Sequence, residues 1–416
     1  MTYTKEQLSK IFRRLASIGT APEEGCELFG VGYDDAFKRL IREYADEALP
    51  AGESAEKFVI GPYGSGKTHF LRHFMTLARK RGCVISEVQL NKKIDYTQTL
   101  IVYREVAANL RPPGHDATGI SKLLEATLAR LDQQCRAQCP DQEARTEFVE
   151  SWISALDGRR YKFGRFGKIL QRALRASFQE DIALFEQLSR WIQGEVDNKA
   201  LIKDLPRDLY LEPIKKSEQE LFAGNLMLSL CQFIRYAGYQ GTIIGFDEAE
   251  QGLDVSREKQ QRIMSMLQAN INAIADLQEG SVFILYALTP QLEAKFSTFP
   301  ALQQRIDVPP DGDFFENGNN MAAKIDLSRR DDPTSELKAI GGKLTDLFFQ
   351  YFGEEITTPY KESLRHIDGL VKQVIEKEYD SSNRRTMVKA TSAYLWKLRK
   401  GSEQLDGPKP EAQGEV

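Results

Sequence analysis

Long hydrophobic runs are absent from this sequence, and no stretch approaches the roughly 18 apolar residues that a membrane-spanning helix needs. The first residues, Met-Thr-Tyr-Thr-Lys-Glu, lack the apolar core of a signal peptide. Cysteine is scarce, with five residues at positions 26, 83, 135, 139 and 231. An odd, scattered set does not make a disulfide framework, and no second Cys or His pair completes a zinc site with Cys135 and Cys139. We therefore expect a cytoplasmic protein with free thiols and no membrane partner.

Basic charge is not in excess either. The 416 residues are 41% hydrophobic and 28% charged, and their formal net charge is -4. A chain of this length and composition is typical of a globular protein with about two or three domains. Because the isoelectric point is close to 5.8, the chain as a whole is not a polycation. Binding to a nucleic acid would therefore require a local basic patch.

The strongest feature that is present is a glycine-rich loop. Residues 61 to 68 read Gly-Pro-Tyr-Gly-Ser-Gly-Lys-Thr, which matches the phosphate-loop pattern G-x-x-x-x-G-K-[ST]. The hydrophobic spacing predicts a strand before it, over 57–60, and a helix after it, over 69–81. The backbone N–H groups of such a loop and the helix dipole point at one anion, so the predicted ligand is ATP or another nucleoside triphosphate with Mg²⁺. The candidate nucleotide-binding residues are Gly61, Pro62, Tyr63, Gly64, Ser65, Gly66, Lys67, Thr68 and His69; the alternative is a glycine loop without a ligand.

A second motif closes an apolar strand. The segment Thr-Ile-Ile-Gly-Phe-Asp-Glu over 242–248 ends in two acidic residues. In this pattern the aspartate holds Mg²⁺ and the glutamate polarises a water for attack on the γ-phosphate. The candidate metal ligands are therefore Thr68 and Asp247, the candidate catalytic base is Glu248, and Lys67 would neutralise the β- and γ-phosphates. The alternative for the acidic pair is a solvated strand end.

Four further residues are candidates for contacts with the γ-phosphate. Thr289 closes the apolar segment 281–289, and strand ends at the carboxyl edge of a parallel sheet face the ligand; the alternative is a strand-boundary threonine. Arg305 stands at the start of a predicted last strand at 305–308 and is either an arginine finger for a neighbouring subunit or a surface arginine. Arg384 and Arg385 open a predicted helix. We prefer Arg385 as the arginine that pairs with the phosphates, with plain helix surface as the alternative.

One segment is strongly basic. Residues 158 to 179 contain no acidic residue, and the aromatic residues Tyr161, Phe163 and Phe166 are interleaved with the basic ones. Basic side chains neutralise phosphate and aromatic rings stack on unpaired bases, so this segment is the nucleic-acid candidate. The alternatives are a solvated helix face and a docking surface for an acidic protein. The basic residues are Arg159, Arg160, Lys162, Arg165, Lys168, Arg172 and Arg175.

Helix and strand patterns divide the chain into six segments. Strand patterns are nearly absent from 115–223, where helical patterns dominate, including one predicted over 168–194. The predicted class is α/β. The segments are N-terminal helices leading into the core at 1–50, the first half of a P-loop ATPase core at 51–114, a helical insertion at 115–223, the second half of the core at 224–330, a helical lid at 331–400 and a disordered tail at 401–416.

These residues carry a family resemblance. The phosphate loop, the Asp247–Glu248 strand, Thr289, the Arg305 segment and the helical lid resemble AAA+ ATPases on the origin-recognition side of that group. Val31 and Gly32 resemble the short motif that lines the adenine in this group, with Tyr33 in place of its usual arginine. The segments Ile-Phe-Arg-Arg-Leu from 11, Phe-Val-Ile-Gly-Pro-Tyr-Gly-Ser-Gly-Lys-Thr from 58 and Asp-Glu-Ala-Glu from 247 are similar to the ATP-binding proteins of BREX-type phage-defence operons, the BrxD-like family.

The resemblance covers about residues 5–110 and 220–400 and leaves the insertion unexplained. It implies a five-stranded parallel AAA+ core, ATP hydrolysis with Mg²⁺, a homo-oligomer, and action on DNA or on other defence-system proteins. Because the predicted lid ends near residue 400, we expect no winged-helix domain of the kind that origin-recognition proteins append. Two alternatives stay open: a nucleotide-gated scaffold that hydrolyses ATP slowly, and a small-molecule P-loop kinase, against which Glu248 and the large lid argue.

Overall fold

A computed structural model describes most of the chain from Tyr3 to Lys400. Residues 1–2, 92, 95–96, 137–140, 249–257, 259–260, 263, 266, 269–276, 278, 297–298, 308, 329–331, 378–382 and 401–416 lie outside the described part, and with them the predicted disordered tail. The chain divides into two compact units. The first, here called the loop unit because it contains the phosphate loop, consists of Met1–Phe37, Ile60–Thr76 and Asp326–Val416. The second, the sheet unit, consists of Lys38–Val59 and Leu77–Ile325.

The sheet unit contains a five-stranded parallel sheet, of which two strands extend by one residue into the loop unit. The pairing register sets Val84 beside Thr242, and Thr242 beside Val282. Both β3 and β4 are buried along their whole length, as continuous apolar strands of parallel sheets are. The predicted α/β class is confirmed. The strands are β1 Ala55–Ile60, β2 Val84–Gln89, β3 Thr242–Asp247, β4 Val282–Leu288 and β5 Lys324–Asp326, in the order β2-β3-β4-β1-β5.

The last strand differs from the sequence prediction. Residues 305 and 306 of the predicted strand belong to the helix Pro300–Ile306, and the fifth strand is Lys324–Asp326. Proline is favoured in the first turn of a helix because its missing N–H has no helical partner there. Leu302 and Ile306 are both buried one helical turn apart, so their helical spacing outweighs the β-branched shape of Ile306.

The helices follow the hydrophobic periodicity of the sequence. A π-helical segment, Ile41–Ala48, joins the second helix to the third, and the described residues between 258 and 268 are helical as well. The numbered helices are α1 Lys5–Ile18, α2 Asp34–Leu40, α3 Leu49–Ala51, α4 Lys67–Lys80, α5 Thr99–Ala108, α6 Ile120–Arg136, α7 Gln142–Ala155, α8 Phe166–Phe178, α9 Ile182–Ile192, α10 Lys199–Asp204, α11 Gln219–Tyr236, α12 Pro290–Phe296, α13 Pro300–Ile306, α14 Pro333–Phe352, α15 Tyr360–Lys377 and α16 Asn383–Lys400.

The segment predicted as a helical insertion contains helices α6 to α10, and its described residues between 112 and 218 form no strand. Phe166 and Trp191 are buried in a core that α5 and α11 share. The single helix predicted over 168–194 is two helices, α8 and α9. They separate because Glu180 adopts a left-handed φ of 60°, after which the Asp181 side chain caps α9.

In the loop unit, α1 packs with α14, α15 and α16 around one apolar core. The ring of Phe12 lies edge-on to Phe348 at 4.8 Å and to Phe352 at 6.4 Å. Thr4 caps α1 with a capping box. Among the residues that the structure describes, no helix combines the length and hydropathy that crossing a bilayer requires.

Candidate functional site

The phosphate loop runs from the end of β1 to the start of α4. Gly64 and Gly66 have φ values of 78° and 92°, which only glycine adopts without strain. Gly61 is constrained differently, since a Cβ there would lie 2.4 Å from the Ser65 hydroxyl. The sequence pattern therefore has a local physical reason: the loop turns tightly where its glycines stand.

The Lys67 ammonium is buried and fixed over this loop. Its Nζ donates hydrogen bonds to the carbonyl oxygens of Gly61 at 2.8 Å and Pro62 at 3.2 Å. The same atom lies 5.8 Å from the centroid of the exposed Tyr63 ring. Thr68 and His69 follow in the first turn of α4, and both are partly buried. A cation held against the loop is the arrangement that phosphate binding requires.

Arg384, at the start of α16, also reaches the loop. Its Nη1 donates to the Ser65 carbonyl and to the Tyr33 hydroxyl, and its Nη2 forms an ion pair with the Glu336 carboxylate. The guanidinium lies 5.3 Å from the centroid of the Tyr33 ring. A Cβ on Gly66 would stand 3.5 Å from Nη1. Three segments of the loop unit thus meet at one guanidinium.

The arginine at the loop is not the one that the sequence analysis prefers. Arg385 is exposed, and its Nε donates to the Ile18 carbonyl at 3.3 Å. Arg384 lies on the buried face of α16 with Met387, Val388 and Leu395, one helical stripe that excludes Arg385. A helical wheel through these apolar positions is the sequence signal that identifies Arg384.

The residues at the loop fit a phosphate group. Two buried polar atoms there, Ser65 Oγ and Arg384 Nε, have no hydrogen-bond partner among the described residues. A buried donor left unpaired costs about 1–3 kcal/mol, and both groups can donate to an anionic oxygen. Together with Lys67 they form a donor-rich set of the kind that binds polyphosphate.

The segment that the sequence analysis assigns to the adenine lies in the same unit. Gly32 has a φ of 84° and no atom within 4 Å of the position a Cβ would take. Val31 is partly buried against the α1 and α14–α16 core. The Tyr33 ring packs edge-on against Phe70 of α4 at 5.3 Å. This tyrosine therefore connects the segment to both α4 and Arg384.

His69 is held as a neutral imidazole. Its Nε2 lies 2.8 Å from the Cys26 carbonyl oxygen, and a carbonyl only accepts, so this nitrogen carries the proton. Its ring lies 5.2 Å from the Phe29 ring and 5.7 Å from the His73 ring. Burial, followed by the neighbouring His73, lowers the pKa of His69 to about 4.

Stability should therefore fall on mild acidification. Between pH 6.5 and 4, His69 is protonated in the unfolded chain but stays neutral in the folded chain. The free energy of unfolding therefore decreases as pH falls, by about 3 kcal/mol between these two pH values. Urea unfolding of wild type and His69→Gln at pH 7 and pH 5 measures this difference. The variant should lose about 2 kcal/mol less than wild type between those two pH values. His366→Gln, at an exposed histidine, should behave like wild type; equal losses in all three proteins would contradict the assignment.

The acidic motif and Thr289 lie at the carboxyl ends of two adjacent strands. Asp247 is the last residue of β3 and is 2% exposed. Glu248 follows with a left-handed φ of 55°, and its N–H donates to Asp247 Oδ1 at 3.0 Å. Thr289 directly follows β4 and is buried, and its carbonyl accepts from the N–H groups of Leu292 and Glu293 at the start of α12. Parallel strands place these three residues at one edge of the sheet.

Comparison with known proteins assigns the chain to a family. The family model described as "BREX system ATP-binding protein BrxC/D" matches residues 4–398. The chain belongs to this BrxC/D family. Family membership supports ATP binding and a place in a phage-defence system. No curated protein and no solved structure gives a significant match.

For this BrxC/D family member, two expected site features lie partly outside the described residues. Arg305 belongs to α13, but its side chain lies outside the described residues, so its role as an arginine finger stays a prediction. The Ala249 and Glu250 positions of the acidic motif lie outside them as well. Residues 305 and 306 of the last strand that the sequence predicts belong to α13.

The basic segment of this BrxC/D family member splits into two groups. Arg159, Arg160 and Lys162 are exposed and form no ion pair within the described part of the chain. The other basic residues on α8 and just before it hold neighbouring segments. Arg165 donates to the Tyr210 carbonyl, Lys168 to the Asp208 carbonyl at 2.8 Å, Arg172 pairs with the Asp208 carboxylate at 3.7 Å, and Arg175 pairs with Glu150 at 3.0 Å.

The three interleaved aromatic residues, Tyr161, Phe163 and Phe166, are buried or partly buried, whereas base stacking requires an exposed ring. Phe166 is fully buried, and Phe163 packs against Phe222 with ring centroids 5.0 Å apart. Tyr161 lies edge-on to Tyr236 at 5.5 Å. Their interleaving reflects core packing. Two other aromatic residues of this region are exposed: Phe178, the last residue of α8, at 36%, and Tyr210, at 72% with a φ of 50°.

Proposed function

We propose that this chain is an AAA+ type ATPase that binds Mg-ATP at residues 61–68 and hydrolyses it to ADP and phosphate. Its nucleotide state would drive assembly and the remodelling of DNA or partner proteins in a cytoplasmic BREX defence system. The observation that carries the proposal is the donor set at the phosphate loop. Lys67, Ser65 and Arg384 are buried together there, and two of their donors have no partner among the described residues.

The sheet order supports the AAA+ assignment. β4 lies between β3, which ends in Asp247, and β1, which leads into the phosphate loop. The sequence resemblance implies this extra strand between the two motif strands. Thr289 follows that intervening strand, at the carboxyl edge where ligands of parallel sheets bind. This position supports Thr289 as a γ-phosphate sensor.

Each residue has a distinct role in the proposed reaction. Lys67 neutralises charge on the β- and γ-phosphates, and the backbone N–H groups of the loop 61–66, except at Pro62, which has none, orient them. Thr68 and Asp247 would hold Mg²⁺, which supplies charge neutralisation across the phosphate oxygens when bound. Glu248 orients the attacking water and accepts its proton. Its left-handed φ of 55° is a backbone strain of the kind that concentrates at functional sites.

We assign the lid arginine role to Arg384 in place of Arg385. Its guanidinium already contacts the loop through the Ser65 carbonyl, whereas Arg385 is exposed. Arg384 would carry the loop's nucleotide state to α16. Arg305 is retained as the residue offered to a neighbouring subunit, which requires a homo-oligomer. Molecular mass in solution with and without a slowly hydrolysed ATP analogue tests that assembly, and an unchanged monomer would contradict it.

The experiment that tests the core proposal uses the intact chain. Calorimetric titration with Mg-ATP should give a binding isotherm and raise the melting temperature, because a ligand that binds only the folded state stabilises it. Release of inorganic phosphate then tests hydrolysis. A folded chain that shows neither heat nor a thermal shift with Mg-ATP would end the proposal.

A second activity is favoured by the exposed residues of the insertion. Arg159, Arg160 and Lys162 are exposed and form no ion pair among the described residues, and the Arg159 guanidinium lies 5.2 Å from the centroid of the Tyr236 ring. Tyr210 presents an exposed ring on a loop that Arg165 fixes. We propose that they bind single-stranded nucleic acid, the cations through phosphates and the ring by stacking on a base.

The two contact types should separate by their salt dependence. Replacing Arg159, Arg160 and Lys162 together by alanine should reduce the slope of log affinity against log salt by about 2, since each lost phosphate contact removes roughly 0.7. Tyr210→Ala should weaken binding about tenfold or more with the slope unchanged. Fluorescence anisotropy with a labelled oligonucleotide measures both. A triple alanine variant at Lys361, Arg365 and Lys372, exposed residues of α15, should change neither quantity; an unaltered slope in the first triple variant would assign these cations to a protein partner.

A further inference from the structure

A buried ion pair stands behind the phosphate loop. Glu336 in the first turn of α14 and Arg384 in the first turn of α16 have side chains that are 14% and 11% exposed. Buried ion pairs are weak evidence for stability, because desolvation offsets much of their attraction. Stability alone therefore does not explain the Glu336–Arg384 ion pair, and the contacts of the Arg384 guanidinium indicate a different role.

Three hydrogen-bond donors of Arg384 have an assigned acceptor. A guanidinium has about five N–H groups in a rigid plane. Nη1 donates to the Ser65 carbonyl and the Tyr33 hydroxyl, and Nη2 faces Glu336. Nε is buried and has no acceptor within the described residues. These three contacts fix the plane of the group, and the buried Nε–H is left as an unused donor of fixed direction.

We propose that Glu336 and Tyr33 are positioning residues, which clamp Arg384 so that its unused donor serves the terminal phosphate of a bound nucleoside triphosphate. The inference rests on the proposed function of the loop. Tyr33 stands where the resembling family has an arginine, and here its hydroxyl accepts a hydrogen bond from the lid arginine. Glu336 and Tyr33 thereby favour the binding of a triphosphate through Arg384, without having to contact the nucleotide themselves.

Charge makes the role of Glu336 distinguishable from a structural one. Glu336→Gln keeps the side-chain shape and loses the ion pair, so Arg384 is held less firmly. It also removes a negative charge near the loop, which favours binding of any polyphosphate. The variant should therefore bind ADP at least as tightly as wild type, whereas its preference for a slowly hydrolysed ATP analogue over ADP should fall about tenfold, the size of one charge-assisted hydrogen bond.

The test is a set of calorimetric titrations with the ATP analogue and with ADP, both with Mg²⁺. Arg384→Lys should lose the same preference, and Glu336→Gln combined with Arg384→Lys should lose no more, because both changes act through one contact. Tyr33→Phe, which keeps the ring packing, should lose about threefold. Glu355→Gln breaks a more exposed glutamate–arginine pair of the same unit, with Arg399 at 2.6 Å, and should leave the preference unchanged.

The outcomes separate the inference from the proposed function. If wild type binds neither nucleotide, the proposed function and the inference fall together. If wild type prefers the triphosphate and Glu336→Gln keeps that preference, the inference is overturned and the nucleotide site stands. Equal weakening of both nucleotides with a lower melting temperature would show Glu336 to be structural, and would overturn the positioning role.

Discussion

Lys67→Ala should weaken Mg-ATP binding by about a hundredfold. The ammonium is the buried cation of the phosphate loop, with its Nζ 2.8 Å from the Gly61 carbonyl. Hydrogen bonds to charged groups contribute about 1.5–3 kcal/mol each, and two such contacts with phosphate oxygens make a factor of about 100 or more. Calorimetric titration with Mg-ATP measures the loss.

The effect of Lys67→Ala on the folding of the loop must be measured separately from its effect on nucleotide binding. Removing Nζ also breaks its hydrogen bonds to the carbonyls of Gly61 and Pro62, so melting in the absence of nucleotide must be recorded for the variant. Lys80→Ala changes an exposed lysine at the other end of the same helix and should bind Mg-ATP as wild type does. Wild-type affinity in Lys67→Ala would remove the basis for the nucleotide site.

Glu248→Gln should lower the rate of phosphate release by about a hundredfold or more, the usual contribution of a positioned general base. Nucleotide affinity should stay within about threefold of wild type, because this residue acts on water rather than on the phosphates. The Glu248 N–H to Asp247 Oδ1 hydrogen bond of 3.0 Å involves the backbone, so the substitution leaves it in place. Single-turnover phosphate release, measured beside Mg-ATP binding, separates the two effects.

A matched control exists for the unusual backbone of Glu248. Glu279 is also a non-glycine residue with a φ of 55°, and its side chain is hydrogen-bonded to the Tyr236 hydroxyl at 2.7 Å. Glu279→Gln should hydrolyse ATP at the wild-type rate. Equal, slow phosphate release by wild type and Glu248→Gln would favour the nucleotide-gated scaffold over the ATPase.

Much of the fold can be predicted from local patterns in the amino-acid sequence. The phosphate-loop glycines, the continuous apolar strands β3 and β4 and the amphipathic helices are all readable from residue spacing, because each depends on neighbours in the chain. The last strand is different. Residues 305–306 satisfy a short strand pattern and a helical one, and only the burial of Leu302 and Ile306 together decides for the helix.

The candidate site shows the same division. Arg384 and Arg385 are adjacent in sequence and chemically identical, so their residue types do not separate them. The choice depends on which one shares the buried face of α16 with Met387 and Leu395. The aromatic residues at 161–166 likewise look like stacking surfaces in the sequence, whereas Phe166 fills a core.

The amino-acid sequence by itself determined the ligand class, the α/β character and the positions of the acidic and glycine-rich motifs, since those follow from chemistry and spacing within a few residues. Helical spacing separates Arg384 from Arg385, but only the tertiary structure decided that Arg384 reaches the Ser65 carbonyl and that Glu336 and Tyr33 hold it there. It also decided that Tyr210 presents an exposed ring in the insertion. The physical reason is that these contacts join segments tens to hundreds of residues apart, and their geometry is set by how the helices pack rather than by any local pattern.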